Sequence, residues 1–264
     1  MQLEKGLEAL LRRDRAIVVM LLVGVFLLCW AYLLAGAGMD MSAMEMTRMA
    51  SMDMPAMDPV AWSPGYATVV FFMWWIMMVA MMLPSATPMI LLFATINRRQ
   101  REQAGAWVPT SVFTLSYIVA WGGFSLAATV LHGIMAAGGL LRPDMALDST
   151  LLGAALLIAA GLYQLTPFKR ACLRHCRMPA QYLALHYRPG LRGALVLGFG
   201  HGAYCLGCCW VLMALLFVGG VMNLYWIAGL ALYVLVEKTL PMGHWLGHLL
   251  GLVLIVAGTW LVIA

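Results

Sequence analysis

Residues 71–93 read FFMWWIMMVAMMLPSATPMILLF, and none of these positions carries an acidic or basic side chain. A segment this long and this apolar is typical of a helix that crosses the ~30 Å hydrocarbon core of a bilayer. Because residues four apart share one face of a helix, its first five methionines are expected to stack as a ladder of sulfurs. This methionine ladder consists of Met73, Met77, Met78, Met81 and Met82. The alternative is that methionine only fills irregular helix contacts here.

Two prolines follow the ladder within the same segment. Pro84 and Pro88 each lack a backbone donor and disfavour helical geometry in the residue before them. The helix is therefore expected to kink or break at this point. Within a bilayer such a break is tolerated where the freed carbonyl groups face protein or a cavity.

Composition places the whole chain in the membrane class. Of its 264 residues 64% are hydrophobic and 10% are charged, and the mean hydropathy is +0.90. These values predict an all-α, polytopic membrane helix bundle that forms a single domain over residues 1–264. About seven spans are predicted, at residues 16–36, 66–96, 110–135, 150–168, 194–218, 225–240 and 244–264. The sixth segment is short, so six spans plus one re-entrant piece is the alternative.

The positive charges predict how this bundle sits in the membrane. With the N-terminus cytoplasmic and the C-terminus outside, all lysines and arginines except Arg48 and Arg142 fall on the cytoplasmic side, many of them in loops 97–109 and 169–193. We therefore expect a multi-pass protein of the bacterial inner membrane, with residues 65–264 as the bundle. The net charge of +5 reflects this topology and contact with anionic lipid, so nucleic acid is not expected as a partner.

A second methionine-rich stretch lies in the outer loop of residues 37–64. Residues 39–57 read MDMSAMEMTRMASMDMPAM and hold the eight methionines Met39, Met41, Met44, Met46, Met49, Met52, Met54 and Met57. Because no helical or strand period survives in this methionine tract, it is expected to be a loop without a core. Thioether sulfur is a soft ligand that selects Cu(I) over harder cations. The tract predicts a copper collector, and the alternative is a linker that happens to use methionine.

The fifth apolar segment carries the most specific group of metal ligands. Residues 198–213 read GFGHGAYCLGCCWVLM, which places His201, Cys205 and Cys208 on one helical face with Cys209 beside them. Such ligands bind zinc or Cu(I), and an apolar span suits the softer ion. The alternative is that these are buried cysteines acting as small apolar residues. Counting ~1.5 Å per residue puts this group and the methionine ladder at the same depth near the midplane, where they could share one site.

A C-x-x-H-C group follows the fourth span on the cytoplasmic side. It consists of Cys172, His175 and Cys176, and the arginines around it favour thiolates. Its position suits transfer of metal to or from a cytosolic acceptor. The alternative is a pair of surface cysteines in a basic linker.

A further group lies at the inner end of the last span. His244 and His248 are four residues apart, and Glu237 is an ionisable residue in or beside the hydrocarbon. Ionisable residues in such positions are functional candidates by default. The alternative is that Glu237 and Lys238 form a pair at the membrane boundary.

Three strings of residues carry a resemblance to a known family. They are MWWIMMVAMMLPSATPM at 73–89, LYQLTPFKRACLRHCRMP at 162–179 and GAYCLGCCWVLM at 202–213. The chain resembles, over residues 74–241, the bacterial family named domain of unknown function 2182, whose members are described as metal-binding integral membrane proteins. The resemblance implies an inner-membrane, metal-related role and no established reaction. The methionine tract precedes the matched residues, so its copper interpretation is independent of the family.

These features together predict a membrane protein that binds Cu(I) and translocates or handles it through a Met, His and Cys site between helices. Another transition metal is the alternative cargo, and a periplasmic or cytosolic copper-binding protein is the expected partner. No Ser-His-Asp arrangement or phosphate-binding loop points to an enzyme. Two alternatives stay open: a membrane metalloenzyme or enzyme subunit whose metal is held by His201, His244, His248 and Glu237, and an assembly factor that delivers copper to a cuproenzyme.

The predicted topology can be tested by cysteine labelling on an otherwise cysteine-free background. A cysteine that replaces Glu45 should react with an impermeant thiol reagent added outside intact cells, because residue 45 lies in the outer loop. A cysteine that replaces Ala180 should react only after the membrane is permeabilised. Outside labelling at position 180 would reverse the orientation.

Overall fold

The computed structural model describes residues 2–39, 41–49, 62–100, 107–240 and 243–263. These residues form eleven α-helices. In chain order the helices are α1 (Gln2–Leu34), α2 (Ala43–Met49), α3 (Pro64–Gln100), α4 (Trp107–Ala137), α5 (Thr150–Leu165), α6 (Pro167–Arg177), α7 (Pro179–His186), α8 (Gly190–Ala214), α9 (Leu216–Gly219), α10 (Leu224–Thr239) and α11 (Gly243–Ile263). The all-helical class predicted from composition is confirmed.

Five of these helices are long and apolar enough to cross a membrane. They are α1, α3, α4, α8 and α11, and α5 with α6 would make a sixth span that is bent by 64° at its break. The predicted count of seven is not reproduced. The difference lies in the sixth apolar segment, which folds as α10 and has only 16 residues. Such a helix is about 24 Å long, less than the ~30 Å of a hydrocarbon core.

Helix α3 runs through the middle of the bundle and contacts α1, α4 and α10. It continues through Pro84 and Pro88, so the prolines do not break the helix. Hydroxyl groups in the same turns donate to backbone carbonyls: Ser85 Oγ to Met82 O over 2.9 Å and Thr87 Oγ1 to Leu83 O over 3.0 Å. Hydroxyl side chains of this kind commonly stabilise proline-containing membrane helices. By contrast, α1 lies at the edge of the bundle, and only 17% of its apolar segment is buried inside the protein.

Glycines permit the close antiparallel packing of α5 on α11. A Cβ atom added to Gly161 of α5 would lie 2.6 Å from the carbonyl oxygen of Gly251. One added to Gly258 of α11 would lie 2.8 Å from the carbonyl oxygen of Ala154. Small residues that let two backbones approach replace the hydrophobic driving force that is missing between helices in lipid.

Helices α4 and α8 pack in parallel through glycines of α8. Gly198 faces the backbone of Phe113, and Gly202 faces Ala120, where an added Cβ atom would lie 2.6 Å from the alanine Cβ. The residue numbers rise together along both helices, which shows that the helices share one direction. This packing holds the middle of α8 next to the middle of α4, where the candidate site lies.

The contact between α5 and α11 leads to a stability prediction. Gly161→Ala should destabilise the protein by about 1–3 kcal/mol, because the new methyl group would push two backbones apart. Gly153→Ala on the same helix is the matched control, since an added Cβ atom there meets nothing within 4 Å. We expect the control to stay within about 1 kcal/mol of the wild type or to gain stability. Thermal unfolding in detergent measures both changes, and equal midpoints for the two variants would contradict the contact.

Candidate metal site

Cys205 of α8 is the residue around which the candidate site is built. Its side chain is buried, and Lys238 Nζ at the end of α10 donates a hydrogen bond to Cys205 Sγ over 3.0 Å. The Tyr117 hydroxyl of α4 lies 3.2 Å from the same sulfur and 3.3 Å from the carbonyl oxygen of Met82 in α3. Lys238 Nζ also donates to Ser85 Oγ of α3 over 3.3 Å. Four helices therefore meet at Cys205.

Three more thiols surround Cys205. The thiols of Cys208 and Cys209 each donate to the carbonyl oxygen of Cys205 over 3.0 Å. Cys176 comes from α6, and its thiol lies near the thiols of Cys205 and Cys208. We call Cys176, Cys205, Cys208 and Cys209 the thiol cluster. Its three members on α8 are buried and Cys176 is half-buried.

Helix α6 reaches the thiol cluster because α8 has a glycine where the two helices touch. A Cβ atom added to Gly207 would lie 2.7 Å from Cys172 Sγ. The Tyr163 hydroxyl of α5 donates to the Gly207 carbonyl and fastens α5 to the same turn. The sequence suggested that Cys172, His175 and Cys176 form a group of their own on the cytoplasmic side. The structure instead brings Cys176 into contact with α8 thiols and places Cys172 beside them.

The two histidines predicted with these cysteines lie among aromatic rings. His201 is buried one turn before Cys205, and its ring centroid is 5.5 Å from that of Tyr117 and 6.2 Å from that of Phe113. Its Nδ1 atom is buried without a hydrogen-bond partner among the described residues. His175 stacks on Tyr204, with ring centroids 4.0 Å apart and planes inclined by 5°. His175 therefore packs on the ring of Tyr204 in α8 and lies outside the thiol cluster.

The methionine ladder contacts the thiol cluster at Met82, its C-terminal residue. All five of its side chains are buried. The sulfur of Met82 lies 3.9 Å from Cys209 Sγ. The two segments that the sequence placed at one depth are thus neighbours in the bundle, and their sulfurs touch.

A second buried polar group lies next to the thiol cluster. Lys169 Nζ of α6 donates to both Glu237 Oε1 and Gln164 Oε1, and the Tyr233 hydroxyl donates to Glu237 Oε1 over 3.0 Å. The side chains of Lys169 and Glu237 are 2% and 0% exposed. We call Gln164, Lys169, Tyr233 and Glu237 the Glu237 network. Consecutive residues of α10 thus face different partners, so Glu237 and Lys238 do not form the boundary pair considered above.

The remaining candidates on the last span are described only in part. The side chain of His244 lies outside the described residues, while His248 has its ring centroid 6.3 Å from that of Trp245. Gly247 lies between these histidines, and a Cβ atom added there would be 2.9 Å from Glu237 Oε1. This end of α11 therefore packs on the Glu237 network.

Part of the methionine tract is a helix and not the loop that was expected. Ser42 and Glu45 form a capping box, in which Ser42 N donates to Glu45 Oε2 over 2.8 Å and Glu45 N donates to Ser42 Oγ over 3.3 Å. Hydrogen bonds from the Ser42 hydroxyl and amide lower the pKa of Glu45 below its ordinary value. The helix is α2, and it buries Met46 and Thr47, whose Oγ1 accepts from Leu224 N over 3.0 Å.

The other methionines of the tract differ in exposure and in how much of them is described. Met44 is exposed, and Met39 and Met41 are half-buried. Met52, Met54, Met57 and the side chain of Met49 lie outside the described residues. The Ser-x-x-Glu pattern was the signal for α2 that the search for apolar periods missed.

The thiol cluster lies level with the ends of α6, α10 and α11, whereas it adjoins the middle of α3 and the central part of α8. Lys238 is the last residue but one of α10, and Gly247 follows the start of α11 by one turn. The break between α5 and α6 is at the same level, because Tyr163 and Cys172 flank it and both touch Gly207. The midplane position was counted along α3 and α8, which are both longer than α5, α6 and α10. The cluster is level with the break between α5 and α6, and its depth in a membrane stays a prediction.

Two residues of this site were not identified from the sequence. Lys238 was counted among the cytoplasmic charges. Tyr117 is one of the nine tyrosines of the chain and lies in an apolar segment. Among the described residues, no three His, Cys, Asp or Glu side chains are placed to hold one metal ion. The thiols of Cys208 and Cys209 point at a backbone carbonyl, so a shared metal requires rotation of these side chains about χ1.

The part of the chain that builds this site matches a known family. A family model described as PpoB2, copper chaperone, matches residues 71–261, which is well over half of the 264 residues. The chain belongs to the PpoB2 copper chaperone family. No curated protein and no solved structure matches the chain.

Membership of the PpoB2 copper chaperone family agrees with the copper-related role predicted from soft donors. The thiol cluster, the methionine ladder and the Glu237 network all lie inside the matched residues, and the methionine tract lies outside them. The resemblance to domain of unknown function 2182 is not confirmed by this match. The two descriptions share a metal-related role, and the PpoB2 family adds that the metal is copper.

The Glu237 network leads to a second stability prediction. Glu237→Gln leaves the Lys169 ammonium buried without a counter-charge, so we expect a loss of about 3–5 kcal/mol. Asp148→Asn, at an exposed acidic residue, is the control and should change stability little. Adding Lys169→Met to Glu237→Gln should recover part of the loss, because the unpaired charge is then gone. A double variant that is less stable than Glu237→Gln would show that the ion pair is not the cause.

Proposed function

We propose that this chain is a Cu(I) chaperone of the bacterial inner membrane that holds its cargo between the thiol cluster and Met82. The observation that carries the proposal is the contact of Cys209 Sγ with Met82 Sδ beside the buried Cys205 sulfur. Thiolate and thioether are the soft ligands that Cu(I) prefers. Membership of a copper chaperone family supports the same cargo.

The residues fit this cargo better than they fit a structural zinc ion. Structural zinc takes a closed tetrahedral set of four ligands, whereas no three His, Cys, Asp or Glu side chains of the described residues are arranged around one point. A Cu(I) ion needs only two or three sulfur ligands, which Cys205, Cys209 and Met82 can supply after side-chain rotation. Cys176 and Cys208 are the nearest further thiols, and they offer a route for exchange of the ion. In this proposal His201 packs beside the site and is not a ligand.

The methionine ladder supplies the path that leads to this site. Its sulfurs lie on one helix between Met73 and Met82, which spans about 13 Å. Neutral thioethers bind Cu(I) more weakly than thiolates do, so the ion is held more tightly as it reaches Cys209. The methionine tract, on the outer side in the predicted topology, collects Cu(I) and delivers it to the ladder. The ion then leaves the thiol cluster for a copper-binding partner protein at the α6 end.

The arrangement around α6 supports this exit. Cys172 and Cys176 lie on the face of α6 that touches α8, while Arg170 and Arg174 are exposed on the opposite side. A soluble partner can therefore approach the thiols of α6 from the end of the bundle without crossing the ladder. In the predicted topology this end is cytoplasmic, and the partner is a cytosolic copper-binding protein. If the partner that receives the ion is a cuproenzyme, the chain acts as an assembly factor for that enzyme.

The metalloenzyme alternative is less well supported by the geometry. It requires Glu237 as a metal ligand, and that carboxylate accepts hydrogen bonds from Lys169 and Tyr233. Removing it from the ion pair would leave a buried ammonium group unpaired. His201, the other ligand on that list, lies among the rings of Tyr117 and Phe113.

Anaerobic Cu(I) titration of the detergent-purified protein against a competing chelator tests the proposal. Cys205→Ser should abolish tight binding, and Met82→Leu should weaken it by roughly 10-fold or more, since even residues that only support a ligand contribute this much. Cys29→Ser and Met20→Leu, both on α1, are the matched controls and should bind as the wild type does.

The double variant distinguishes one shared site from two separate ones. If Cys205 and Met82 serve one ion, then Cys205→Ser with Met82→Leu should cost little more affinity than Cys205→Ser alone. Independent sites would each lose their own ion, so stoichiometry would fall in two steps. Tight Cu(I) binding that survives in Cys205→Ser would refute a site at the thiol cluster.

A further inference from the structure

Lys238 is the feature of the site that the proposed function does not explain. Its side chain is 6% exposed, and its Nζ atom donates to Cys205 Sγ and to Ser85 Oγ. A buried ammonium group is costly unless an anion faces it. The adjacent carboxylate of Glu237 is paired with Lys169. The thiol cluster is therefore the group whose charge Lys238 balances.

The formal charges of a loaded site depend on the valence of the metal. Cysteine binds metal as thiolate, so a centre with two thiolates carries two negative charges, and a thioether adds none. With Cu(I) such a centre has a net charge of −1, and the Lys238 ammonium brings the sum to zero. With a divalent ion the centre is already neutral, and Lys238 leaves a net charge of +1. A net charge in a buried, apolar site is unfavourable, so the two ions differ in how well the site accepts them.

Resting on the proposed function, we propose that Lys238 makes the site selective for a monovalent soft cation over a divalent one. The ammonium is the counter-charge of a bis-thiolate Cu(I) centre, and it is placed there by the end of α10. The C-terminal end of a helix favours a cation, which helps to keep Lys238 charged in this position. Ser85 holds Nζ from the α3 side, so the ammonium can remain beside Cys205 when the sulfur binds metal.

A competing role for Lys238 makes the opposite prediction. An ammonium group that occupied the metal's own position would have to be displaced, and its removal would then strengthen Cu(I) binding. A counter-charge that acts beside the metal instead supports Cu(I), and its removal weakens that binding. The two roles are separated by the sign of the change in Cu(I) affinity.

The test compares affinities for two metals in full-length protein in detergent under anaerobic conditions. The probes are Cu(I) and Zn(II), each added alone with a chelator of known affinity. Lys238→Met has a side chain of similar length without the charge, and Lys238→Gln is a second neutral variant that keeps a polar end. We expect both to weaken Cu(I) binding and to strengthen Zn(II) binding, so that the ratio of the two affinities falls by roughly 100-fold.

Charge-matched controls isolate the effect of position. Lys238→Arg should keep most of the preference for Cu(I), because it keeps the charge. Arg170→Met removes an exposed positive charge from α6 and should leave the ratio unchanged. An unchanged ratio in Lys238→Met and Lys238→Gln, or tighter Cu(I) binding in either, would overturn the inference. Loss of Cu(I) binding in Cys205→Ser together with an unchanged ratio in Lys238→Met would refute only the role of Lys238, whereas tight binding in Cys205→Ser would refute the proposed site itself.

Discussion

The burial of two ammonium groups inside an apolar bundle is the constraint on which the rest of this structure depends. Lys169 and Lys238 are both removed from solvent, and each must face a group that can carry negative charge. Lys169 faces Glu237, and Lys238 faces Cys205. Because Glu237 and Lys238 are neighbours on α10, these contacts fix the rotation of that helix. They also fix α6, which carries Lys169, and α8, which carries Cys205.

The break between α5 and α6 makes this arrangement possible. A straight continuation of α5 would carry Lys169 and Cys176 along the bundle axis and away from α8. The 64° bend turns α6 across α8 instead, and Gly207 provides the space for its approach. Thr166 forms the junction, since its backbone N–H ends α5 by donating to Tyr163 O and its side chain caps α6 by accepting from Lys169 N. The bend between α5 and α6 thereby brings Cys176 to the thiol cluster and Lys169 to the Glu237 network.

The sequence indicated the donors of the site but not how they are combined. Hydrophobic run length and helical spacing were enough for the membrane class, for the ladder from Met73 to Met82 and for the common face of Cys205 and Cys208, because both signals are local. The meeting of Cys176 with Cys205 depends on the bend after α5, and no local pattern states the angle of a bend. A periodic signal was also absent for α2, where a capping box and one buried methionine decide the fold.

Charged residues were the least predictable part of the site. In a hydropathy profile a lysine ends a span, so Lys169 and Lys238 were counted as residues outside the membrane. Their burial inside the protein does not follow from such a profile, because it depends on partners that compensate the charge, and these lie 68 residues from Lys169 and 33 from Lys238 along the chain. Helix α10 ends at Thr239 because Leu240, which precedes Pro241, has extended backbone geometry.

The position of α1 at the edge of the bundle has a consequence for how the protein is organised. This helix packs mainly on α3, leaves most of its surface uncovered and precedes the residues that match the family. The helices from α3 onward enclose every residue of the thiol cluster without it. In the proposed function, the N-terminal arm that collects Cu(I) is therefore separate in sequence from the part of the chain that holds the ion and matches the family.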